Sequence, residues 1–329
     1  MEALYWEVYK DKKVKCFLCP HECVIEEGKT GRCRTRKNID GKLFSLTYGK
    51  FTSISLDPIE KKPLYHFYPG REILSVGTFG CNFFCPWCQN FEISQADERV
   101  PVRSVKIEEL ISFSKRYNSI GISYTYNEPL INYEFVLDCS KKFNDEGMKN
   151  ILVTNGYINE APLHNLIPYI DGANVDLKSF NNDFYKKYCF SKIGPVLRTI
   201  ETLFKKKKHI EITLLVIPKL NDNEDEFKDL VDWIWSLSPD VPLHLSRYYP
   251  AYKFNREPTP LKTLYRLRDI AIKKLKFVYL GNVWEEEYSN SYCPNCKAVL
   301  VRRRGYNVKI ENLSGNICKN CGEEVNFLT

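Results

Sequence analysis

The sequence predicts an α/β fold: a parallel sheet curled into a partial, open (β/α)6 barrel, flanked by two small cysteine-rich appendages. Three observations predict it. From residue 72 onward, short apolar runs alternate with amphipathic stretches, the order that builds a parallel sheet through right-handed crossovers. Six such units are too few to close an eight-stranded barrel. The chemistry-bearing motifs fall where the apolar runs end, which is the face on which barrels of this kind carry their sites.

Taken in order, residues 73–79 read as the first strand and 106–117 as a helix with Ile107, Leu110, Ile111 and Phe113 near helical spacing. Residues 120–124 form the second strand, and a helix over 132–146 stops at Gly147. Strands follow at 150–154, 173–177, 210–217 and 242–245, with a short last one at 277–280. Helices are expected near 195–207, 224–236 and 261–274. The expected domains are a β-rich N-terminal extension over 1–71, the barrel over 72–287 and a small cysteine module over 288–329.

Bulk properties narrow the class. The 43% hydrophobic content is ordinary for a globular chain of 329 residues. The net charge of +7 is spread along the sequence and does not by itself imply nucleic acid. No apolar run reaches membrane-spanning length and the start has no signal-peptide pattern, so we expect a cytoplasmic protein without a membrane partner.

The 13 cysteines fall into groups with metal-ligand spacing, leaving Cys139 and Cys189 over. Cys81, Cys85 and Cys88 form C-x₃-C-x₂-C on one loop after the first strand. A [4Fe–4S] cluster normally takes four thiolates. Three leave one iron open to a small molecule, as an open zinc position is. The chemistry that fits is reductive cleavage of S-adenosylmethionine (SAM), whose amino and carboxylate groups chelate that iron, to give a 5′-deoxyadenosyl radical. A zinc site short of its fourth ligand is the alternative. Cys293-x₂-Cys296 and Cys318-x₂-Cys321 read as a structural zinc ribbon, a closed tetrathiolate site. The Arg302–Arg304 run within it reads as a phosphate or acidic-protein contact, or as a solvated turn. Cys16, Cys19, Cys23 and Cys33 are a second complete set; zinc and a second [4Fe–4S] cluster both fit, with a slight preference for zinc.

The loop Cys81-Asn82-Phe83-Phe84-Cys85-Pro86-Trp87-Cys88 resembles the radical SAM superfamily signature. Cys16-Phe17-Leu18-Cys19-Pro20-His21-Glu22-Cys23, the stretch from Asp57 to Phe67, and Leu243-His244-Leu245-Ser246-Arg247-Tyr248-Tyr249-Pro250 resemble one branch of it, the AmmeMemoRadiSam-system enzymes, homologues of pyruvate formate-lyase activating enzyme. Asn127-Glu128-Pro129 sits where relatives have a Gly-Gly-Glu-type loop, so the resemblance implies that Glu128, with Asn127, holds the SAM ammonium. A first-turn acid at a helix start is the alternative. Thr154-Asn155-Gly156 and Asp176-Leu177-Lys178 resemble SAM-holding segments of glycyl-radical activating enzymes. Lys178 reads as a partner for the SAM carboxylate or for substrate, or as an ion pair with Asp176 or Glu201.

His244 reads as an adenine stack or proton donor, or as a structural histidine; Arg247 as a carboxylate fork. Gly281-Asn282 reads as a close backbone approach to adenine. Cys189 reads as a reactive thiol or a buried one. The resemblance also implies a reductant protein such as ferredoxin or flavodoxin, partner proteins of the AmmeMemoRadiSam system, and a protein or small-molecule substrate. Readings from other classes are a glycyl-radical enzyme activase, a non-catalytic RNA- or protein-binding adaptor, and an iron–sulfur redox sensor. The sensor reading leaves Glu128, Asp176 and Arg247 unexplained.

Overall fold

The computed structural model describes residues 1–329. At its centre is an eight-stranded sheet made of β1 (Ser53–Pro58), β2 (Glu72–Gly77), β3 (Gly121–Tyr124), β4 (Lys149–Thr154), β5 (Gly172–Asp176), β6 (His209–Val216), β7 (Leu243–Arg247) and β8 (Val278–Gly281). The strands lie side by side in that order, so the sheet curls without closing. Strands β2 to β8 are parallel. Between them run α1 (Ile107–Arg116), α2 (Tyr133–Asp145), α3 (Glu160–Leu166), α4 (Ile193–Lys205), α5 (Glu224–Leu237) and α6 (Leu261–Ala271). The parallel strands read as near-continuous apolar runs because both their faces are covered: Ile122, Leu152, Val175, Ile212, Leu214 and Leu245 are all buried. The helices begin where their sequence dictates. Asn223 caps α5 by accepting from the Asp225 and Glu226 N–H groups, and three acids fill the first turn, where the helix dipole favours them.

The edge strand β1 runs antiparallel to β2, Ser53 opposite Gly77 and Pro58 opposite Glu72. The sequence places it in the extension over 1–71, and its pairing makes it part of the barrel sheet instead. The connection from β1 to β2, residues 59–71, turns into the barrel. Pro63 O accepts from Asn174 Nδ2 at 2.7 Å, and the His66 N–H donates to Glu211 Oε1 at 2.8 Å. Leu64 and Phe67 are fully buried there with Ile59, Ile73 and Ile151. This connection fills the lumen and forms the floor of the open face above it.

The N-terminal segment packs small sheets, Trp6–Val8 with Val14–Cys16 and Val24–Ile25, and the hairpin Arg36–Ile39/Lys42–Ser45, against α2. Arg36 Nη1 pairs with Glu134 Oε1 at 2.9 Å, both fully buried, and Tyr48 OH donates to Asp138 at 2.8 Å. The C-terminal segment docks on the floor connection and on β8. Its Arg303 is fully buried, donating to Tyr65 O at 2.6 Å and Ser291 Oγ at 2.8 Å, with Glu60 at 3.6 Å. Arg302 and Arg304 are paired with Glu311 and Glu286. Of the basic run, only Arg303 is thus buried in the protein; Arg302 and Arg304 are exposed, each beside a surface carboxylate. No helix is long and apolar enough to cross a membrane.

Candidate active site

A cleft of about 580 Å³ opens at the C-terminal ends of the strands, within the size range of small-molecule sites. The loop after β2 carries Cys81, Cys85 and Cys88 into it. Gly80 makes the turn possible: its φ is +83°, and a Cβ there would lie 2.4 Å from Cys33 O. Asn127 fastens the loop, its Nδ2 donating to Gly80 O at 2.8 Å and its Oδ1 accepting the Thr78 N–H at 3.1 Å. Asn155 Nδ2 donates to Asn82 Oδ1 at 2.8 Å. Trp87 anchors the other end, buried against Phe184, Tyr188 and Phe254.

Burial pushes the Cys81 and Cys88 thiols up. The Cys85 thiol is raised by the neighbouring Cys189 thiol at 3.7 Å and by burial. Buried thiols held neutral in this way become ligands only when a metal supplies the opposing charge. Three of them lining one open cleft fit a cluster that leaves one iron facing the cavity.

Facing the loop, Glu128 is buried but lines the cleft. Its Oε1 accepts from the Leu130 N–H at 3.0 Å and the Thr154 hydroxyl at 2.7 Å; its Oε2 accepts only the Asn155 N–H, at 2.8 Å. Burial pushes its carboxyl up to about 7 against those three bonds. Asp176 and Lys178 form an ion pair at 3.1 Å on the cleft wall. Burial works against the Lys178 charge, but Asp176 overcomes it and holds the ammonium above its usual range.

On the floor, Lys62 Nζ lies 2.6 Å from Asp57 Oδ2 and 4.5 Å from the Tyr126 ring centre. Burial lowers Lys62 to about 8. Asp57 also accepts from Tyr126 OH and from Lys61, so despite burial its carboxyl sits below the usual range.

The cleft thus brings together Cys81, Cys85, Cys88, Asn127, Glu128, Asn155, Asp176, Lys178 and Asn282. Thr154 acts one step back, through Glu128, and Cys189 through Cys85. Three further expected residues, His244, Arg247 and Gly281, do not line the cleft either. His244 is the second residue of β7, not at its end; it is buried, bonded to Glu211 Oε2 at 2.6 Å and stacked on Tyr279. That places it in the lumen layer beneath the floor. Burial opposes the Glu211 charge, but His209 and His244 hold the carboxyl below its usual range. Arg247 donates to Thr259 O at 2.8 Å and Tyr249 OH at 2.9 Å. Gly281 does not line the cleft; the nearest protein atom to a Cβ built there is Ser246 Oγ at 3.5 Å. The sequence did not reveal Tyr126, Asn90, Ser94 or Tyr306 as cleft residues; Tyr306 arrives from the C-terminal hairpin, 180 positions after Tyr126 in the chain.

The four C-terminal thiols form a compact metal site. Cys293, Cys296, Cys318 and Cys321 bring their Sγ atoms within 4.8 Å of one another, and the module fits a zinc ribbon.

With this geometry in place, comparison with known proteins gives the class. The Radical SAM superfamily profile matches residues 75–234. An uncharacterized protein of Methanocaldococcus jannaschii is 44% identical over 99% of both chains. The chain belongs to the radical SAM superfamily. It is therefore an enzyme class member whose chemistry uses a [4Fe–4S] cluster and SAM.

Two relatives named for an activity are more distant. The (2S)-3-sulfopropanediol dehydratase activating enzyme of Klebsiella oxytoca is 27% identical over 59% of this chain and 52% of its own length. The pyruvate formate-lyase-activating enzyme of Staphylococcus epidermidis is 24% identical over 49% of this chain and 68% of its own. This chain thus spans about half of the Klebsiella relative.

Proposed function

We propose that this protein reductively cleaves SAM and uses the resulting radical to abstract hydrogen from a protein or small-molecule substrate. The observation that carries the reading is one cleft into which three loop thiols and the buried Glu128 carboxylate both open. Cys81, Cys85 and Cys88 would hold the cluster. When bound, it supplies the electron that splits SAM into methionine and a 5′-deoxyadenosyl radical. Glu128 Oε2 carries a single hydrogen bond, so it has an acceptor position left for an ammonium group. Asn127 and Asn155 keep the cysteine loop in register with it. The Asp176–Lys178 pair offers one charge of each sign on the wall, suited to the SAM carboxylate or to substrate. Asn282 and Tyr306 line the rim, where an incoming substrate passes.

The C-terminal module is a structural zinc site in this reading, since four contacting thiolates close the coordination sphere. Membership of the AmmeMemoRadiSam branch, with its partner proteins and a ferredoxin- or flavodoxin-type reductant, belongs to the same proposal. So does a cytoplasmic location. The activating-enzyme relatives support a glycyl-radical protein as the substrate to try first. An RNA adaptor loses support because it leaves the buried Glu128 carboxyl opening onto the cysteine cleft without a role, and Arg303 of the basic run is buried.

The test is anaerobic reconstitution followed by dithionite and SAM. Wild type should form 5′-deoxyadenosine. Cys85→Ala should lose that product together with the cluster absorbance while keeping the C-terminal metal. Undiminished product in the variant overturns the assignment.

A further inference from the structure

The two four-cysteine sets differ in how their sulfurs are arranged. In the C-terminal set, Cys293 and Cys321 Sγ are 3.6 Å apart, and Cys296 and Cys318 Sγ are 3.7 Å apart. That is the spacing of a tetrahedral zinc site: four sulfurs about 2.3 Å from one ion lie about 3.8 Å from each other. Cys16, Cys19, Cys23 and Cys33 instead line an enclosed cavity, with Leu18, Ile25 and Ile131 completing an apolar wall. The four cysteines share a cavity of about 20 Å³. Zinc at its usual bond length draws four sulfurs into mutual contact and leaves no such space. A cubane of four irons and four sulfides needs it.

The surroundings agree with a buried anion. Arg36 lines the cavity, is fully buried, and its Nε has no hydrogen-bond partner. A buried, unpaired N–H of a cation is costly unless an acceptor completes it, and a tetrathiolate cluster supplies acceptors in sulfur.

The cavity also abuts the active-site loop. Cys33 O fills the position that a Cβ on Gly80 would take, and Ile131 reaches from the cavity wall to the same glycine. His21 Nε2 is 2.8 Å from Asn82 O, and Arg34 donates to Ser94 O at 2.6 Å and to Cys81 O at 3.4 Å. Cys33 thus abuts Gly80, the residue immediately before Cys81.

We infer that Cys16, Cys19, Cys23 and Cys33 bind a second [4Fe–4S] cluster, which passes single electrons to the group held by the three-cysteine loop. This rests on the proposed function for the loop itself. The step transfers one electron and no proton: a low-potential iron–sulfur or flavin protein is oxidised, the N-terminal cluster is reduced, and it is reoxidised as the electron moves on.

The experiment uses the full chain, reconstituted anaerobically with iron and sulfide. Wild type should hold about eight irons and the Cys81→Ala/Cys85→Ala/Cys88→Ala variant about four, with a reduced-cluster electron paramagnetic resonance signal that SAM does not change. If that variant does not fold, the single variant Cys19→Ala gives the converse reading: about four irons, with the SAM-sensitive signal kept. About four irons in wild type and none in the triple variant, with two zinc ions per chain, overturns the inference. Failure of the loop assignment looks different: the N-terminal iron stays and no SAM-sensitive signal appears in wild type. For the relay, reduction of the loop cluster in Cys19→Ala should slow at least tenfold with reduced flavodoxin but persist with titanium(III) citrate. Equal rates with flavodoxin overturn the relay.

Discussion

Replacing Glu128 with Gln separates what the site costs the fold from what it gives the ligand. The carboxyl is buried, and its pKa rises from the usual 4.5 to about 7. The folded state therefore favours the protonated acid. Its penalty is absent below about pH 4.5, grows as pH rises, and reaches about 3 kcal/mol above pH 7. Gln carries no charge and lacks that slope. It also turns an amide toward the Asn155 N–H that now donates to Oε2, which costs about 1–3 kcal/mol at every pH.

The variant should thus be less stable than wild type at pH 5 and about equal to it at pH 8. Its SAM affinity should move the other way, falling roughly 5- to 150-fold at pH 8 as a charge-assisted bond worth about 1–3 kcal/mol is lost. In wild type the dissociation constant should rise as pH falls below 7 and level off near the variant's, because protonation removes the same charge; in the variant it should stay flat. Calorimetry of SAM binding and urea unfolding, both anaerobic on iron-loaded protein, read the two effects. Equal SAM affinity of the two proteins at pH 8 would refute the ammonium role. A pH-independent stability difference would refute the buried, proton-holding carboxyl.

Other expectations test the scaffold. Gly80→Ala puts a Cβ into Cys33 O at a left-handed φ, so iron at the three-cysteine loop should be lost and the melting temperature should fall, read by visible absorbance and calorimetry. Asp57→Asn leaves the buried Lys62 ammonium without its charge partner and should cost about 3 kcal/mol by urea unfolding at pH 7. Because the Asp57 pKa is depressed in the folded state, that loss should shrink as pH falls below about 4, where wild type also loses the contribution. His244→Ala removes a buried bond to Glu211 and should destabilise by about 2–3 kcal/mol with SAM affinity changed less than twofold. A tenfold loss of affinity would return His244 to the site.

Much of the barrel was legible because each strand and helix is coded locally. Apolar runs such as those ending at Gly77 and Thr154 and the helical spacing of Ile107, Leu110 and Ile111 need no distant partner to be recognised. The three-cysteine loop was legible for the same reason, since its ligands lie within eight residues. Glu128 followed from a motif at a strand end, and the cleft contains it.

Tertiary structure alone decided the rest. Strand β1 was hidden because Ser53–Pro58 becomes a sheet edge only by pairing with a strand beyond a connection that dives into the lumen. His244 lies near a strand end in sequence, but register puts it opposite Thr213 and beside Glu211, so its charge chemistry is spent on the lumen. Tyr306 reaches the cleft because the C-terminal hairpin docks on residues 59–71, a contact between segments more than 230 positions apart. Spacing assigned the C-terminal four-cysteine set to zinc but left the N-terminal set open between zinc and a second cluster. Only the folded arrangement distinguishes them: the C-terminal sulfurs gather within 4.8 Å of one another, whereas the N-terminal four line a cavity.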